Sequence, residues 1–90
     1  MTRPWDVNPS AQFKRRLGKT AAELGDSRIG RDCPEVWELD DGDVAIIGRD
    51  ATRLLASRMP PDVGIGDDER IVVIPGRQFR STVEDVTDGA

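Results

Sequence analysis

The order of apolar and polar residues between positions 34 and 48 predicts a β-hairpin. Val36, Trp37 and Leu39 supply apolar side chains before Asp41-Gly42, and a short apolar run follows this dipeptide. Asp41-Gly42 suits a two-residue type I′ turn, because both central positions need a positive φ, which Gly adopts freely and Asp tolerates. We therefore expect a hairpin over residues 35–48, around which the rest of the chain is organised.

A two-residue turn also determines which side chains share a face of this hairpin. It places Leu39 opposite Val44 and Trp37 opposite Ile46, and the strand period of two puts all four on one side. A helix is predicted at 51–59, because its apolar residues form one stripe and a pair of prolines ends it. We expect this helix to cover that side of the hairpin.

A second apolar stripe predicts an N-terminal amphipathic helix at 11–24. Ser10 is a suitable N-cap and Gly25 a suitable C-terminal stop. Gly18 weakens a helix by about 1 kcal/mol relative to Ala, so this helix needs the body of the protein or a partner to cover it. The stripe consists of Phe13, Leu17, Ala21 and Leu24.

Residues 70–75 are apolar on both faces and predict the central strand of the sheet. The following segment fits two structures, since Phe79, Val83 and Val86 have helical spacing while alternate residues also fit a strand. We favour a strand or extended segment at 78–83. These elements together predict an α+β fold with a small antiparallel sheet of three to four strands.

The length of 90 residues provides one modest core. We expect a loosely attached N-terminal basic arm and helix at 1–31, a small α+β domain at 32–86 and a frayed tail at 87–90. No stretch approaches the roughly 20 apolar residues that span a bilayer, and the N-terminus lacks the apolar segment of a secretory signal. We therefore expect a cytoplasmic protein.

The chain has no histidine and one cysteine, Cys33. A Ser-His-Asp triad, a Cys-His pair and a His-ligated metal are therefore excluded. Cys33 fits a small, partly buried side chain, with a redox role as the alternative. We expect no catalytic residues, no metal and no cofactor.

Two acidic turns are the remaining candidates for a cation site or for acid–base chemistry. Neither has the alternating ligands and the distal bidentate Glu of a calcium loop, and solvated turns are the simpler interpretation. A small metal-binding or enzymatic domain remains an alternative function. The residues are Asp40, Asp41 and Asp43 in the first turn and Asp67, Asp68 and Glu69 in the second.

Charge is distributed unevenly along the chain. Residues 1–20 hold five basic residues against Asp6, a local charge of +4, so residues 21–90 carry −8. Such a basic segment fits a solvated surface, phosphate contacts or an acidic protein partner. The five residues are Arg3, Lys14, Arg15, Arg16 and Lys19.

Two sequence blocks carry a resemblance to a known family. The first is the run CPEVWELDDGDVAIIG from Cys33 to Gly48, and the second is the run ERIVVIP from Glu69 to Pro75. Over roughly residues 32–76 the chain resembles small uncharacterised proteins of actinobacteria, especially streptomycetes, with the blocks C-P-x-[IV]-W-E-L-x-x-G-D-x-A-[IV]-I-G and E-R-[IL]-V-V-I-P. It is more faintly similar to small actinobacterial proteins that accompany helix-turn-helix regulators. The resemblance implies an accessory or regulatory role and transfers no catalytic residues.

These observations favour a non-enzymatic protein that binds another protein, such as the partner of a transcriptional regulator or an antitoxin-like protein. Nucleic-acid binding through the basic segment is the alternative, although the acidic remainder argues against it. Self-association through an unpaired sheet edge is a further expectation. The predicted partner-binding residues are Trp5, Phe13, Lys14, Arg15, Arg16, Leu17 and Lys19.

Overall fold

The computed structural model describes residues 4–25 and 34–88, and these form an α+β fold. A three-stranded antiparallel sheet has the order β1-β2-β3, and a second sheet pairs β4 with β5. A short 3-10 helix, Ala56–Arg58, follows α1 directly. The strands and helices are β1 (Phe13–Arg16), β2 (Glu35–Leu39), β3 (Val44–Ile47), β4 (Arg49–Asp50), α1 (Thr52–Leu55), β5 (Val72–Val73) and α2 (Gly76–Asp88).

The predicted hairpin is formed by β2 and β3, but its register differs by one residue from the prediction. Leu39 N–H donates to Asp43 O at 2.8 Å and Gly42 N–H donates to Leu39 O at 3.1 Å. The loop therefore has three residues and ends in Gly42 at φ 91°, as in a type I turn followed by a bulge. Trp37 lies opposite Ala45 as a result.

This shift exchanges the side chains that share a face, because the strand period is two. The prediction that Trp37, Leu39, Val44 and Ile46 lie together is therefore wrong. Pairing of Val36 with Ile46 and of Glu38 with Val44 defines one side, which we call the helix face. The other side, the Trp37 face, carries Glu35, Trp37, Leu39, Ala45 and Ile47.

The predicted helix at 11–24 is wrong, because β1 occupies its first part. β1 pairs antiparallel with β2, with a bulge at Lys14, and Leu17 N–H donates to Val36 O at 2.8 Å. Gly18 then adopts φ 77°, a conformation that ends the strand and turns the chain. β2 provides the hydrogen-bond partners for the backbone of β1. These partners lie far away in the sequence, so the apolar spacing within residues 11–24 cannot indicate them.

Only a short helical turn remains of the predicted N-terminal helix. Glu23 N–H donates to Thr20 Oγ1 at 3.1 Å, and Thr20 N–H donates to Glu23 Oε1 at 3.0 Å. This reciprocal pair is a capping box. The hydrogen bonds from the Thr20 backbone N–H and side chain lower the pKa of the Glu23 carboxyl below its ordinary range.

The helix predicted at 51–59 is present as α1 and the 3-10 helix that follows it. Asp50 Oδ1 accepts hydrogen bonds from Thr52 Oγ1 at 2.6 Å and from Thr52 N–H at 3.0 Å, which fix its start and lower the pKa of Asp50. The helix face, however, borders α2 rather than α1.

The segment predicted as the central strand, 70–75, is not central. Only Val72–Val73 is a strand, and it pairs with β4 in the second sheet, whereas β2 is the middle strand of the first. A Cβ at Gly48 would lie 2.6 Å from Val73 O, so glycine allows this close approach. The apolar run therefore pairs with β4, which follows β3 after Gly48, and lies outside the three-stranded sheet.

The segment 78–83 lies within α2, so the strand we favoured there is wrong. The amides of Gln78 and Phe79 donate to Pro75 O at the start of the helix. The hydroxyls of Ser81 and Thr82 donate to the carbonyls three residues earlier, at 2.7 and 2.6 Å. These local bonds let two poor helix formers stay inside a helix.

The core of the described residues is small. Its buried apolar residues are Leu17, Ala21, Val36 and Ala51, and its buried polar residues are Gln78, Ser81 and Thr82. The boundary predicted between residues 31 and 32 lies outside the described residues. Within residues 4–25 and 34–88, no helix has the length and apolar character needed to cross a membrane.

Candidate functional site

An apolar groove runs between the helix face of the sheet and α2. Its volume is about 310 Å³, and none of the described residues that line it is charged. Two threonines, Thr82 and Thr87, are its polar residues. The apolar lining consists of Leu17, Val36, Val44, Ile46, Phe79, Val83 and Val86.

The groove stays open because α2 turns its polar side toward the protein. Gln78 Nε2 donates to Lys19 O at 2.8 Å, and Lys19 N–H donates to Ser81 Oγ at 3.2 Å. Gly18 N–H donates to Asp85 Oδ2 at 2.7 Å. These bonds attach the helix to the backbone of the segment after β1.

The apolar side of α2 is left facing solvent. Phe79 is 58% exposed, Val83 48% and Val86 52%. On the sheet side of the groove, Val44 is 53% exposed and Ile46 49%. Contiguous apolar side chains exposed on two neighbouring elements are typical of a surface that binds another protein.

The Trp37 face carries an aromatic and charged cluster. The Arg16 guanidinium carbon lies 4.7 Å from the Trp37 ring centroid, and Phe13 meets this ring edge-on at 5.6 Å. Glu35 Oε1 accepts hydrogen bonds from Trp37 Nε1 at 2.8 Å and Arg16 Nε at 2.9 Å. The cation–π contact and the ion pair hold Arg16 against the sheet.

Arg15 lies on the opposite side of β1 from Arg16. Its Nε donates to Glu38 Oε1 at 2.7 Å, and this hydrogen bond lowers the pKa of the Glu38 carboxyl. Lys14 is exposed at the bulge. The basic residues of β1 are therefore divided between two faces, and two of them are paired with carboxylates.

The structure brings only one of the predicted partner-binding residues into the groove, namely Leu17, which is 3% exposed. Phe13 lies in the Trp37 cluster, and Lys19 contacts α2 through its backbone. Trp5 is 69% exposed and lines a separate cavity of about 210 Å³ beside Asp68 and Glu69. Arg3, part of the nucleic-acid alternative, lies outside the described residues.

The acidic turns use several carboxylates for local backbone bonds. Asp40 Oδ1 accepts from Gln12 N–H at 3.1 Å, and Asp41 Oδ1 accepts from Asp43 N–H at 2.9 Å. Glu69 Oε1 accepts from Gly66 N–H at 2.6 Å. Among the described residues, no three His, Cys, Asp or Glu side chains are grouped so as to hold a metal ion. Cys33 lies outside them.

The sequence carries a signal for the helical wall of the groove, although the strand predicted at 78–83 does not use it. Phe79, Val83 and Val86 have helical spacing, and choosing the helix there would have predicted an apolar side. Val44 and Ile46 line the groove only because of the hairpin register. The two-residue turn predicted at Asp41-Gly42 implies a different register, which is wrong by one residue.

Comparison with known proteins gives no relative from which a function could be transferred. No protein-family model, no curated protein and no solved structure matches the chain.

Proposed function

We propose that this chain is a non-enzymatic protein whose role is to bind another protein, and that the apolar groove beside α2 is its binding surface. The observation that carries the proposal is the exposure of Phe79, Val83 and Val86 next to Val44 and Ile46. A 90-residue chain with a small core gains stability by covering these side chains, since burial of apolar surface contributes about 25 cal/mol per Å².

The lining of the groove favours an apolar segment of a protein over a charged ligand. Its described lining residues are aliphatic, aromatic or threonine, so this part of the chain offers no charge in the groove to a nucleotide or an anionic metabolite. An amphipathic helix or an extended apolar segment presents side chains at spacings that match such a groove. We therefore propose a peptide segment of a partner protein as the ligand.

The resemblance to small actinobacterial proteins supports a narrower form of the proposal. We propose an accessory role in the cytoplasm of an actinobacterium, beside a transcriptional regulator or in an antitoxin-like pair. Nucleic-acid binding has less support, because Arg15 and Arg16 are paired with Glu38 and Glu35 and lie on different faces of β1. Binding through phosphates usually needs basic residues gathered on one surface.

Affinity capture with a matched pair of variants tests the groove. Val83→Asp places a charge on the groove wall, whereas Val63→Asp makes the same change at a residue of equal exposure, 49% against 48%, outside the groove. We expect wild type and Val63→Asp to retain one stoichiometric partner from an actinobacterial lysate and Val83→Asp to lose it. Mass spectrometry of the eluates measures this difference.

The proposal is wrong if both aspartate variants retain the same partner to the same extent, because the partner would then bind elsewhere. A gel shift with duplex DNA at increasing salt tests the nucleic-acid alternative on the same samples. Phosphate contacts require affinity that falls steeply with salt. Binding of that kind by both variants would replace the groove proposal with a nucleic-acid role.

A further inference from the structure

The two edges of the three-stranded sheet differ in their protection against pairing with another strand. β1 forms one edge and carries a bulge and three consecutive basic residues, Lys14, Arg15 and Arg16. Bulges and charges are the usual means by which a sheet edge is kept from adding a strand. β3 forms the other edge with the sequence Val-Ala-Ile-Ile, which has neither.

The backbone groups of β3 that point away from β2 can be identified from the hairpin. Leu39 N–H bonds to Asp43 O, so in an antiparallel ladder Ala45 and Ile47 also exchange their hydrogen bonds with β2. The backbone groups of Val44 and Ile46 therefore point outward. In the part of the chain that the structure describes, no other backbone segment hydrogen-bonds to this edge.

We propose that two copies of this chain associate through their β3 edges, antiparallel, with Ile46 of one copy opposite Ile46 of the other. Each Val44 then lies opposite Gly48 of the other copy, and each Ala45 opposite Ile47. The outward N–H and C=O groups of Ile46 and Val44 form the new hydrogen bonds. The two sheets become one six-stranded sheet of order β1-β2-β3-β3-β2-β1.

Charge complementarity supports this orientation and register. Asp43 precedes β3 and Arg49 follows it after Gly48. In the proposed register, each Asp43 lies directly opposite Arg49 of the other copy, whereas parallel pairing would place Asp43 beside Asp43. Opposite charges across a strand pair stabilise it and like charges destabilise it.

The same register also covers exposed apolar side chains on both faces. Ile46 of each copy, which is 49% exposed, meets its equivalent on the helix face. Ile47, which is 48% exposed, meets Ala45 of the other copy on the Trp37 face. The two grooves become neighbours across the pair. Association through β3 needs no partner protein, so it can be measured on the purified chain alone.

Disulfide trapping tests the register. In a Cys33→Ser background, Ile46→Cys should cross-link, because directly opposite Cα atoms in a hydrogen-bonded pair are about 5.5 Å apart, within disulfide range. Ala45→Cys should cross-link much more slowly, because its equivalent is diagonal to it, about 7–8 Å away. Ser57→Cys, an exposed residue outside the sheet, measures random collision. Faster trapping of Ala45→Cys than of Ile46→Cys would overturn the register.

Sedimentation of the purified protein tests the association itself. Ile46→Pro removes the outward N–H at the centre of the pair without removing a bond to β2, so we expect the association constant to fall by about tenfold or more. Ile46→Val keeps the N–H and should associate like wild type. Circular dichroism checks that both variants fold. A wild-type chain that stays monomeric, together with Ile46→Cys trapping no faster than Ser57→Cys, would overturn the proposal.

Discussion

The two sides of α2 differ in what they contact, since one is hydrogen-bonded to the rest of the protein and the other faces solvent. The side toward residues 17–21 is polar, and Gln78, Ser81 and Asp85 hold the helix by hydrogen bonds to a turning backbone. The side that lines the groove is apolar and about half exposed. The helix is therefore positioned mainly by its polar side, while its apolar side is left only partly covered by the described residues.

Typical energies of hydrogen bonds and of apolar burial agree with this difference between the two sides of α2. A net hydrogen bond within a protein contributes about 0.5–1.5 kcal/mol, so the three bonds that attach α2 are worth a few kcal/mol together. Complete burial of one Val or Phe side chain contributes about 1.5–3 kcal/mol. Because Phe79, Val83 and Val86 are about half exposed, a comparable contribution becomes available only when another molecule covers the groove.

The largest expected effect comes from changing the segment on which α2 rests. Gly18→Ala places a Cβ at φ 77°, against Ser81 Oγ and 2.9 Å from Thr82 N, so the helix must move. We expect a loss of about 3 kcal/mol in the free energy of unfolding, measured by urea titration. Gly25→Ala is the matched control, because Gly25 has φ 79° and a Cβ there would meet no atom of the described residues within 4 Å.

Gly25→Ala should lower the free energy of unfolding only by the cost of placing a Cβ in the left-handed backbone conformation, about 1–2 kcal/mol. Equal losses in the two glycine variants would show that α2 does not rest on Gly18.

A smaller effect is expected from Gln78, the fully buried side chain on the polar side of α2. Gln78→Ala removes the donor to Lys19 O and leaves that carbonyl without its partner. We expect the free energy of unfolding to fall by about 1–3 kcal/mol, as is usual for a buried polar group left unpaired.

Thermal and urea unfolding measure this loss. Gln12→Ala changes an exposed glutamine and should leave stability within about 0.5 kcal/mol of wild type. A loss for Gln78→Ala no greater than that of Gln12→Ala would contradict the view that polar contacts position α2. Among residues 4–25 and 34–88, no group donates to Gln78 Oε1, so the loss arises from the Nε2 contact and from the packing of the buried side chain.

On the apolar side, a substitution should affect folding less than Gly18→Ala does. Val83→Asp alters a half-exposed residue, and Val and Asp have similar helix propensities. We expect the free energy of unfolding to fall by about 1 kcal/mol, because a half-buried Val contributes about half of the energy of complete burial, and we expect the proposed partner capture to be lost. A drop as large as that of Gly18→Ala would place Val83 in the core and remove the distinction between the two sides.

The smallest effect concerns the exposed ion pair between Arg15 and Glu38. The hydrogen bond from Arg15 lowers the pKa of Glu38 in the folded protein. The stability that this ion pair contributes is therefore present at pH values above the ordinary carboxyl pKa, and it is lost as the pH falls through the lowered pKa of Glu38. We expect the melting temperature to fall slightly on acidification below about pH 4.

Glu38→Gln should make that decrease shallower, and melting curves between neutral and acidic pH measure it. Adding Arg15→Gln should then change the pH profile little further, because the pair acts as a unit. A profile for Glu38→Gln that matches wild type would show that the ion pair contributes nothing to stability.

The sequence alone was sufficient for features that depend on neighbouring residues. The hairpin followed from an apolar run on each side of Asp41-Gly42, and the helix after Asp50 followed from a short stripe ended by prolines. Helical spacing at Phe79 and Val83 was also visible, although we preferred a strand there. Local signals of this kind act within a few residues, and they gave the α+β class correctly.

Only the tertiary structure decided how these elements meet. β1 is a strand because β2 offers it an edge, although the residues around Phe13 and Leu17 also have helical spacing. One additional loop residue moved Val44 and Ile46 to the helix face and Trp37 to the other side. α2 turned its polar side inward because the backbone at Gly18 and Lys19 provides donors and an acceptor there. Contacts between distant residues determine which side of an element is buried, and sequence periodicity does not record them.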